Sequence, residues 1–407
     1  MHALAASARP DLQDVDHRLI ENLPQPAIRV LTLTPFYPSA SDDAEGCFIA
    51  EPLRAMEARG INSCVVAVRP WHRDSVRSNP VVPIATWVRY ASIPGGIGLA
   101  SAGIFLYSTL ISRVRKLHRS QRIDLIHAHA ALPCGHAAAL LSRELKIPCV
   151  VTVHGLDAFF DNQVRGYAGS WCKRVTQFVY GSASRVICIS DKVARKVVDG
   201  GEGAIDTRVI YNSVDAEMFS PAQNDCSPTT ILSVGNLIPI KGHELLLRAL
   251  AAVLPHFPHV SCEIIGDGPE RDRLIRLSGT CNLAGKVRFP GPQSRKQVAE
   301  AMRRCVLFAL PSRYEGLGCV YLEAMSSEKP VIACRGQGID EIIRHGSNGW
   351  LIDPGSLQEL IAALSVLLQN LRLRQQVGQA ARRTILQRLT SAHHAAQLAA
   401  VYRECLA

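Results

Sequence analysis

Two carboxylates eight positions apart, Glu315 and Glu323, lie in the stretch Leu310-Pro311-Ser312-Arg313-Tyr314-Glu315-Gly316-Leu317-Gly318-Cys319-Val320-Tyr321-Leu322-Glu323. It reads as a strand end, a glycine turn and the start of a helix. Eight residues of helix span roughly 12 Å along the axis. That spacing suits two ends of one elongated ligand better than a glycosidase pair, whose carboxyls lie ~5–9.5 Å apart. Gly316 and Gly318 stand where the helix begins. A helix N-terminus presents unpaired backbone N–H groups and the positive end of its dipole, and glycine lets a phosphate come close to the chain. With Leu317, Cys319 and Val320 completing the turn, the segment reads as a diphosphate cradle.

Three further positions fit the same chemistry. Lys241 lies in Gly235-Asn236-Leu237-Ile238-Pro239-Ile240-Lys241-Gly242, a loop between a strand and a helix, where an ammonium serves as a compact counter-charge for a diphosphate. His154 ends the run Val151-Thr152-Val153 and is followed by Gly155-Leu156-Asp157; it could exchange hydrogen bonds with a substrate hydroxyl, with Asp157 orienting it. Gly46 follows the polar loop after the first strand and precedes a helix, leaving room for a phosphate or an acceptor group. Taken singly, each residue also fits a bland role: a surface acid, a solvated lysine, a satisfied strand-end histidine, a turn glycine. His127 and His129 alternate on one strand face with no carboxylate or cysteine at matching spacing, so no metal site is expected. Neither Gly266-Asp267-Gly268 nor Gly336-Gln337-Gly338 gains the third glycine of a dinucleotide fingerprint, which speaks against a nicotinamide oxidoreductase.

The elements that must position these residues alternate along the chain. Apolar runs at Ile28–Thr34, Ser63–Val68, Asp124–Ala128, Cys149–His154 and Arg185–Ile189 are separated by helical stretches. A second series follows at Thr230–Val234, Ser261–Ile265, Lys286–Phe289, Val306–Leu310 and Pro330–Ala333. Runs without polar alternation suit strands covered on both faces, hence parallel sheets with right-handed crossovers. Candidate helices include Ile49–Arg59, Ile97–Ile111, Leu132–Leu145, Lys192–Val198, His243–Leu254 and Gln297–Arg304. The expected organisation is α/β. Residues 1–24 form a flexible leader and 25–212 a first Rossmann-like domain. A linker follows at 213–228, then a second Rossmann-like domain at 229–390, and a helix at 391–407 completes the first domain. A ligand belongs beyond the carboxyl ends of the strands, in the cleft between the domains.

At 407 residues, 47% of them hydrophobic, the chain has ample material for two cores. Its net charge of +10 is spread over both halves and points to an anionic partner. Basic and aromatic residues do not interleave, which argues against nucleic acid. No two of the 13 cysteines are separated by only two residues, so neither a zinc ribbon nor a disulfide framework is indicated and a reducing cytoplasm fits. The leader lacks the apolar stretch of a secretory signal. Tyr90 to Ser112 is uncharged and is followed by Arg113, Arg115, Lys116, Arg119 and Arg122. Glycine, serine and proline dilute it too much for a membrane span, which needs ~20 apolar residues. It reads as a buried helix with a basic extension, or as a surface helix on anionic headgroups at the inner face of the cell membrane.

Together these segments resemble the retaining glycosyltransferases of family four, of GT-B fold, in which two Rossmann-like domains face each other. The resemblance runs from Pro35, Gly46 and Phe48 through His154-Gly155-Leu156-Asp157, Tyr211-Asn212-Ser213-Val214-Asp215, Gly235 to Gly242 and Pro311 to Met325, and on to Asn348-Gly349. It implies a nucleotide-diphosphate sugar as donor and a hydroxyl acceptor that is a glycan, a lipid-linked glycan or a small molecule. It also implies retention of anomeric configuration and no cofactor, the lysine and helix terminus doing what a divalent cation does elsewhere. By the same resemblance Glu315 contacts the donor sugar, Glu323 the ribose, Lys241 the diphosphate and His154 the sugar near the reacting carbon, while residues 316–320 supply backbone N–H groups. Asn236 stands where the family usually has arginine. Alternatives are a soluble transferase with a small acceptor and a catalytically silent sugar- or nucleotide-binding homologue.

Overall fold

A computed structural model describes residues 27–40, 42–73, 83–94, 96–155, 164, 166–200, 205–222 and 229–407. The expected leader at 1–24, the orienting role of Asp157 and the last six linker residues lie outside them.

Seven parallel strands make the first sheet: β1 (Ile28–Thr34), β2 (Ile61–Pro70), β3 (Ala85–Tyr90), β4 (Leu125–His129), β5 (Cys149–Val153), β6 (Arg185–Cys188) and β7 (Thr207–Val209), ordered β3-β2-β1-β4-β5-β6-β7. Between them run α1 (Cys47–Glu57), α2 (Gly96–Gln121), α3 (His136–Leu145), α4 (Gly166–Ser182) and α5 (Asp191–Asp199). The second sheet holds β8 (Thr230–Val234), β9 (Ser261–Ile265), β10 (Val287–Gly291), β11 (Cys305–Ala309), β12 (Val331–Cys334) and β13 (Trp350–Ile352), ordered β10-β9-β8-β11-β12-β13. Its helices are α6 (His243–Val253), α7 (Arg271–Thr280), α8 (Arg295–Arg304), α9 (Cys319–Ser326), α10 (Leu357–Gln369) and α11 (Leu371–Arg388). The chain then crosses back in α12 (Ser391–Leu406). There Ala395, Leu398, Val401 and Tyr402 pack on Val30, Met56, Ile61, Leu125 and Val150 of the first domain.

The central strands β4, β5 and β11 are buried at every residue, as parallel strands covered on both faces must be. Where the structure departs from the sequence reading, the cause is local. β3 mixes buried Ala85, Val88 and Tyr90 with exposed Thr86 and Arg89 at the sheet edge, so a search for uniformly apolar runs passes over it. α2 continues past Ile111 to Gln121 because Leu106, Leu110 and Val114 keep one stripe buried at spacings of four. The helix expected from Leu132 starts only at His136: Leu132 is extended (φ −124°, ψ 136°) ahead of Pro133, which disfavours helical backbone in the residue before it. Within the expected linker Val214 and Phe219 are buried, and the Val214 N–H donates to Leu389 O at 3.0 Å.

Candidate active site

β5, β6 and β8 lead at their carboxyl ends into His154, Ile189 and Gly235 on one cleft, and the glycines there set how closely the two walls approach. α1 begins at Gly46, which adopts φ 72°; a Cβ on it would lie 2.5 Å from the Phe36 carbonyl carbon. Across the cleft α9 begins after Gly318 (φ 78°). A Cβ on Gly316 would lie 2.8 Å from the His154 carbonyl oxygen, and one on Gly155 would lie 3.1 Å from Gly316 Cα. The domains therefore meet backbone to backbone at Gly155 and Gly316.

A cavity of about 310 Å³ opens beside this contact, lined by His154, Lys241, Glu315, Gly316, Leu317, Gly318, Cys319, Val320 and Glu323, together with Ala44, Cys47, Phe48, Ile189, Asn212 and Arg295. Nine of the residues singled out from the sequence thus share one wall system. Cys47 and Cys319, the first residues of α1 and α9, both face it, so two helix N-termini converge on the space. Gly46 acts one residue back by turning the chain into α1. Asn236 is exposed and lines a larger adjoining cavity with Asp42, Asp43, Gly266 and Asp267. That second space shares Ala44, Val234, Gly235, Val298 and Val320 with the first.

Lys241 closes a short turn after Pro239, and its Nζ donates to Glu315 Oε1 at 2.5 Å. Glu315 is 7% exposed, and its backbone N–H donates to Gln337 Oε1 at 3.1 Å. The same Gln337 oxygen accepts from Lys192 Nζ at 2.7 Å, while the Glu341 carboxylate accepts the N–H groups of Asp191 and Lys192 at 2.8 Å each. A carboxylate on the second domain thereby meets the N-terminus of α5 on the first, where the helix dipole favours it.

His154 belongs to a buried histidine array. Its Nε2 lies 3.0 Å from His129 Nδ1, with the rings stacked at 5.2 Å, and Phe48 packs against it at 5.0 Å. Of two imidazole nitrogens in one hydrogen bond, one carries the proton and the other accepts it. His127 spends Nδ1 on the Tyr402 hydroxyl and Nε2 on Thr152 Oγ1, both at 2.7 Å. Burial first, then the neighbouring histidines, pushes His127 down to about 3 and His129 well below its ordinary value; burial, with His394, brings His154 down to about 3. All three are neutral at neutral pH. A neutral imidazole at this position can hydrogen-bond a hydroxyl without bringing a charge to it.

Glu323 is 4% exposed, and its Oε1 accepts from Arg295 Nη1 at 2.6 Å. Arg295 Nη2 donates to Glu51 Oε1 of α1. Sequence reasoning missed Arg295, Glu51, Gln337 and Lys192, which touch their partners across long stretches of chain and belong to no local motif.

Residues 48–218 match the family described as glycosyltransferase family 4, and residues 215–384 match glycosyl transferases group 1. A relative from Methanocaldococcus jannaschii, named as an uncharacterized glycosyltransferase, is 31% identical over 266 residues, 65% of this chain and 71% of its own. N-acetyl-alpha-D-glucosaminyl L-malate synthase of Bacillus anthracis is 25% identical over 309 residues, 73% of this chain and 79% of that enzyme. The crystal structure of Anabaena HepE in complex with UDP and glucose superposes with a TM-score of 0.73 at 22% identity, over 93% of this chain and all of that one. Two facing parallel-sheet domains of this kind define the GT-B fold. The chain belongs to the group 1 glycosyltransferases of family 4.

Proposed function

We propose that the protein transfers a hexose from a nucleotide-diphosphate sugar to a hydroxyl acceptor with retention of anomeric configuration, in the assembly of an exopolysaccharide or cell-envelope glycan. The observation that carries this reading is the single cavity in which Lys241, Glu315, Glu323 and the 316–320 turn meet. The HepE structure, which holds UDP and glucose, supports a nucleotide sugar as donor. In this reading Glu323 accepts the ribose hydroxyls and the N–H groups of residues 316–320 receive the diphosphate. Glu315 accepts hydroxyls of the sugar, and His154 fixes the sugar beside the reacting carbon.

The bond from the anomeric carbon to the β-phosphate oxygen breaks, and the acceptor oxygen bonds to that carbon from the same face. The acceptor proton passes to the leaving phosphate. The charge that develops on that phosphate is the quantity to stabilise. Lys241 and the α9 terminus supply the stabilisation, so the reading requires no metal and no cofactor. Asn236 leaves Lys241 as the fixed cation of its loop.

A lipid-linked acceptor is favoured by the outer surface of the first domain. α2 exposes Ile104 and Phe105 and then, a few turns along, Ser112, Arg115, Lys116 and Arg119. Trp71 and Ile93 are exposed where β2 and β3 end, and Trp171 on α4, which packs against α2. Aromatic and apolar groups beside a basic stripe suit the headgroup zone of an anionic membrane. No helix among the described residues is long and apolar enough to cross one. In this reading the protein works in the cytoplasm, peripheral on the inner face of the membrane. The test is product analysis: incubate the protein with the nucleotide sugar it binds and with lipid-linked or small hydroxyl acceptors, then read the anomeric configuration of donor and product by NMR. A product of the donor's own configuration is expected; inversion, or only hydrolysis with every acceptor, overturns the reading.

A further inference from the structure

Arg295 is the first residue of α8, whose start is fixed by a capping box between Ser294 and Gln297. From there its side chain is held by three parts of the chain that are remote in sequence. The guanidinium donates to Glu323 in its own domain and to Glu51 on the first domain, and it lies over the Phe219 ring, 4.9 Å from the centroid, in the segment that joins the domains. The Arg295 backbone N–H donates to Asp43 Oδ1, again on the first domain, at 3.0 Å. The side chains of Arg295, Glu51 and Glu323 are 9%, 11% and 5% exposed.

Burying three ionisable groups is costly, and an interface that needed only adhesion would be served as well by apolar side chains. This cluster is also lopsided. Two carboxylates share one guanidinium, Glu323 Oε2 has no partner among the described residues, and the buried Arg295 Nε has none either, at the edge of the donor cavity. A free carboxylate oxygen held beside a cation is an acceptor awaiting a hydroxyl.

We infer that Arg295 and Glu51 are positioning residues for donor binding: they hold Glu323 in place, and because Glu51 sits on the opposite domain, they make donor affinity depend on closure of the cleft. The inference rests on the reading of Glu323 as the ribose acceptor. Opening the cleft removes Glu51 from Arg295, leaves the guanidinium to Glu323 alone, and lets it take the oxygen that the ribose needs. Donor binding in turn favours the closed arrangement, since coupling between two equilibria is reciprocal.

The test uses the full chain and its Glu51→Gln, Arg295→Met, Arg295→Lys and double Glu51→Gln/Arg295→Met variants, each checked for a cooperative thermal transition. UDP, GDP and ADP are titrated by calorimetry, and small-angle scattering reports the compactness of each free protein. Glu51→Gln is expected to weaken binding of the preferred diphosphate roughly tenfold, within the range of measured inter-site couplings. It should also raise the radius of gyration, and with a nucleotide sugar raise the donor KM by more than it lowers kcat. The double variant should bind no more weakly than Arg295→Met, and Arg295→Lys should recover part of the loss. A folded Glu51→Gln protein that binds as tightly as wild type and scatters identically overturns the inference. Failure of the donor reading shows elsewhere, as wild-type protein that binds none of the three nucleotides.

Discussion

Lys241 and Glu315 stand 74 positions apart in the chain, yet their charged ends lie 2.5 Å from each other in the cleft between the two domains. The pair is 20% and 9% exposed at the side chains, so neither charge is fully solvated. In the proposed reaction the donor diphosphate competes with Glu315 for the ammonium, and the carboxylate so released is left to accept sugar hydroxyls. Lys241→Ala should therefore lower kcat/KM by about 10²–10³, the scale of losing one donor to a developing oxyanion. Steady-state kinetics with the bound nucleotide sugar measures it; a loss under threefold would remove Lys241 from the chemistry.

The glycines of the cleft separate two effects that a sequence comparison cannot. A Cβ on Gly316 meets the His154 carbonyl oxygen of the other domain at 2.8 Å, a clash that opening the cleft relieves. A Cβ on Gly338 meets Gly316 O of its own domain at 1.7 Å, which no domain motion relieves. Gly316→Ala should keep a melting temperature within a few degrees of wild type while weakening donor binding at least tenfold. Gly338→Ala should lower the melting temperature markedly. Melting curves with calorimetric titration check both, and the reverse pattern would show that the domain contact is misassigned.

Mild acid should weaken the fold through its buried imidazoles, against the opposing proton uptake of Glu51, whose carboxyl burial raises to about 7. His127 is 1% exposed and is pushed from 6.5 to about 3, first by burial and then by His154 and His394. Because the folded value is the lower one, its contribution is complete above pH 6.5. It is lost as pH falls from there toward 3, since only the unfolded chain takes up the proton. At pH 5 the loss from His127 alone is about 2 kcal/mol. Urea midpoints recorded from pH 8 to pH 5 should fall below pH 6.5, and His127→Asn, less stable at pH 8, should show a shallower slope. A wild-type midpoint flat to pH 5 would mean that the array is not buried neutral.

Membrane attachment, if α2 carries it, is electrostatic with an apolar component. Vesicles containing phosphatidylglycerol should pellet the protein at low salt, and phosphatidylcholine vesicles should not. Binding should fall sharply at 0.5 M salt, on the order of three to five Debye lengths of screening per 15 Å of separation. Arg113→Glu combined with Lys116→Glu and Arg119→Glu should abolish it without altering donor binding. Equal pelleting with both lipids would assign the attachment to something other than this stripe.

Much of this arrangement is legible in the sequence because it is local. The glycine turn at Gly316 and Gly318, the carboxylates eight apart and the lysine loop are each set by neighbouring residues, and the buried strands announce themselves as apolar runs. What stays hidden is long-range. Glu51 and Arg295 are 244 positions apart, and His129, at the end of β4, and His154, just past the end of the adjacent β5, are 25 apart. Neither pairing follows from propensity or periodicity, since strand order and cleft closure decide them. Asn236, read beside Lys241 in the sequence, lines the adjoining cavity, a placement that local sequence does not give.

The central claim is that one cavity binds a nucleotide-diphosphate sugar, and titration tests it most directly. UDP-, GDP-, ADP- and TDP-sugars are added to wild-type protein, to Lys241→Ala and to Glu323→Ala, with unfolding temperature as readout. Saturation at about 100 times Kd stabilises a protein by ~2.7 kcal/mol, well within detection. The expected result is a shift with one nucleotide class that both variants lose. A folded wild-type protein that shifts with none of the donors would contradict the claim and bring forward a silent homologue of the transferases.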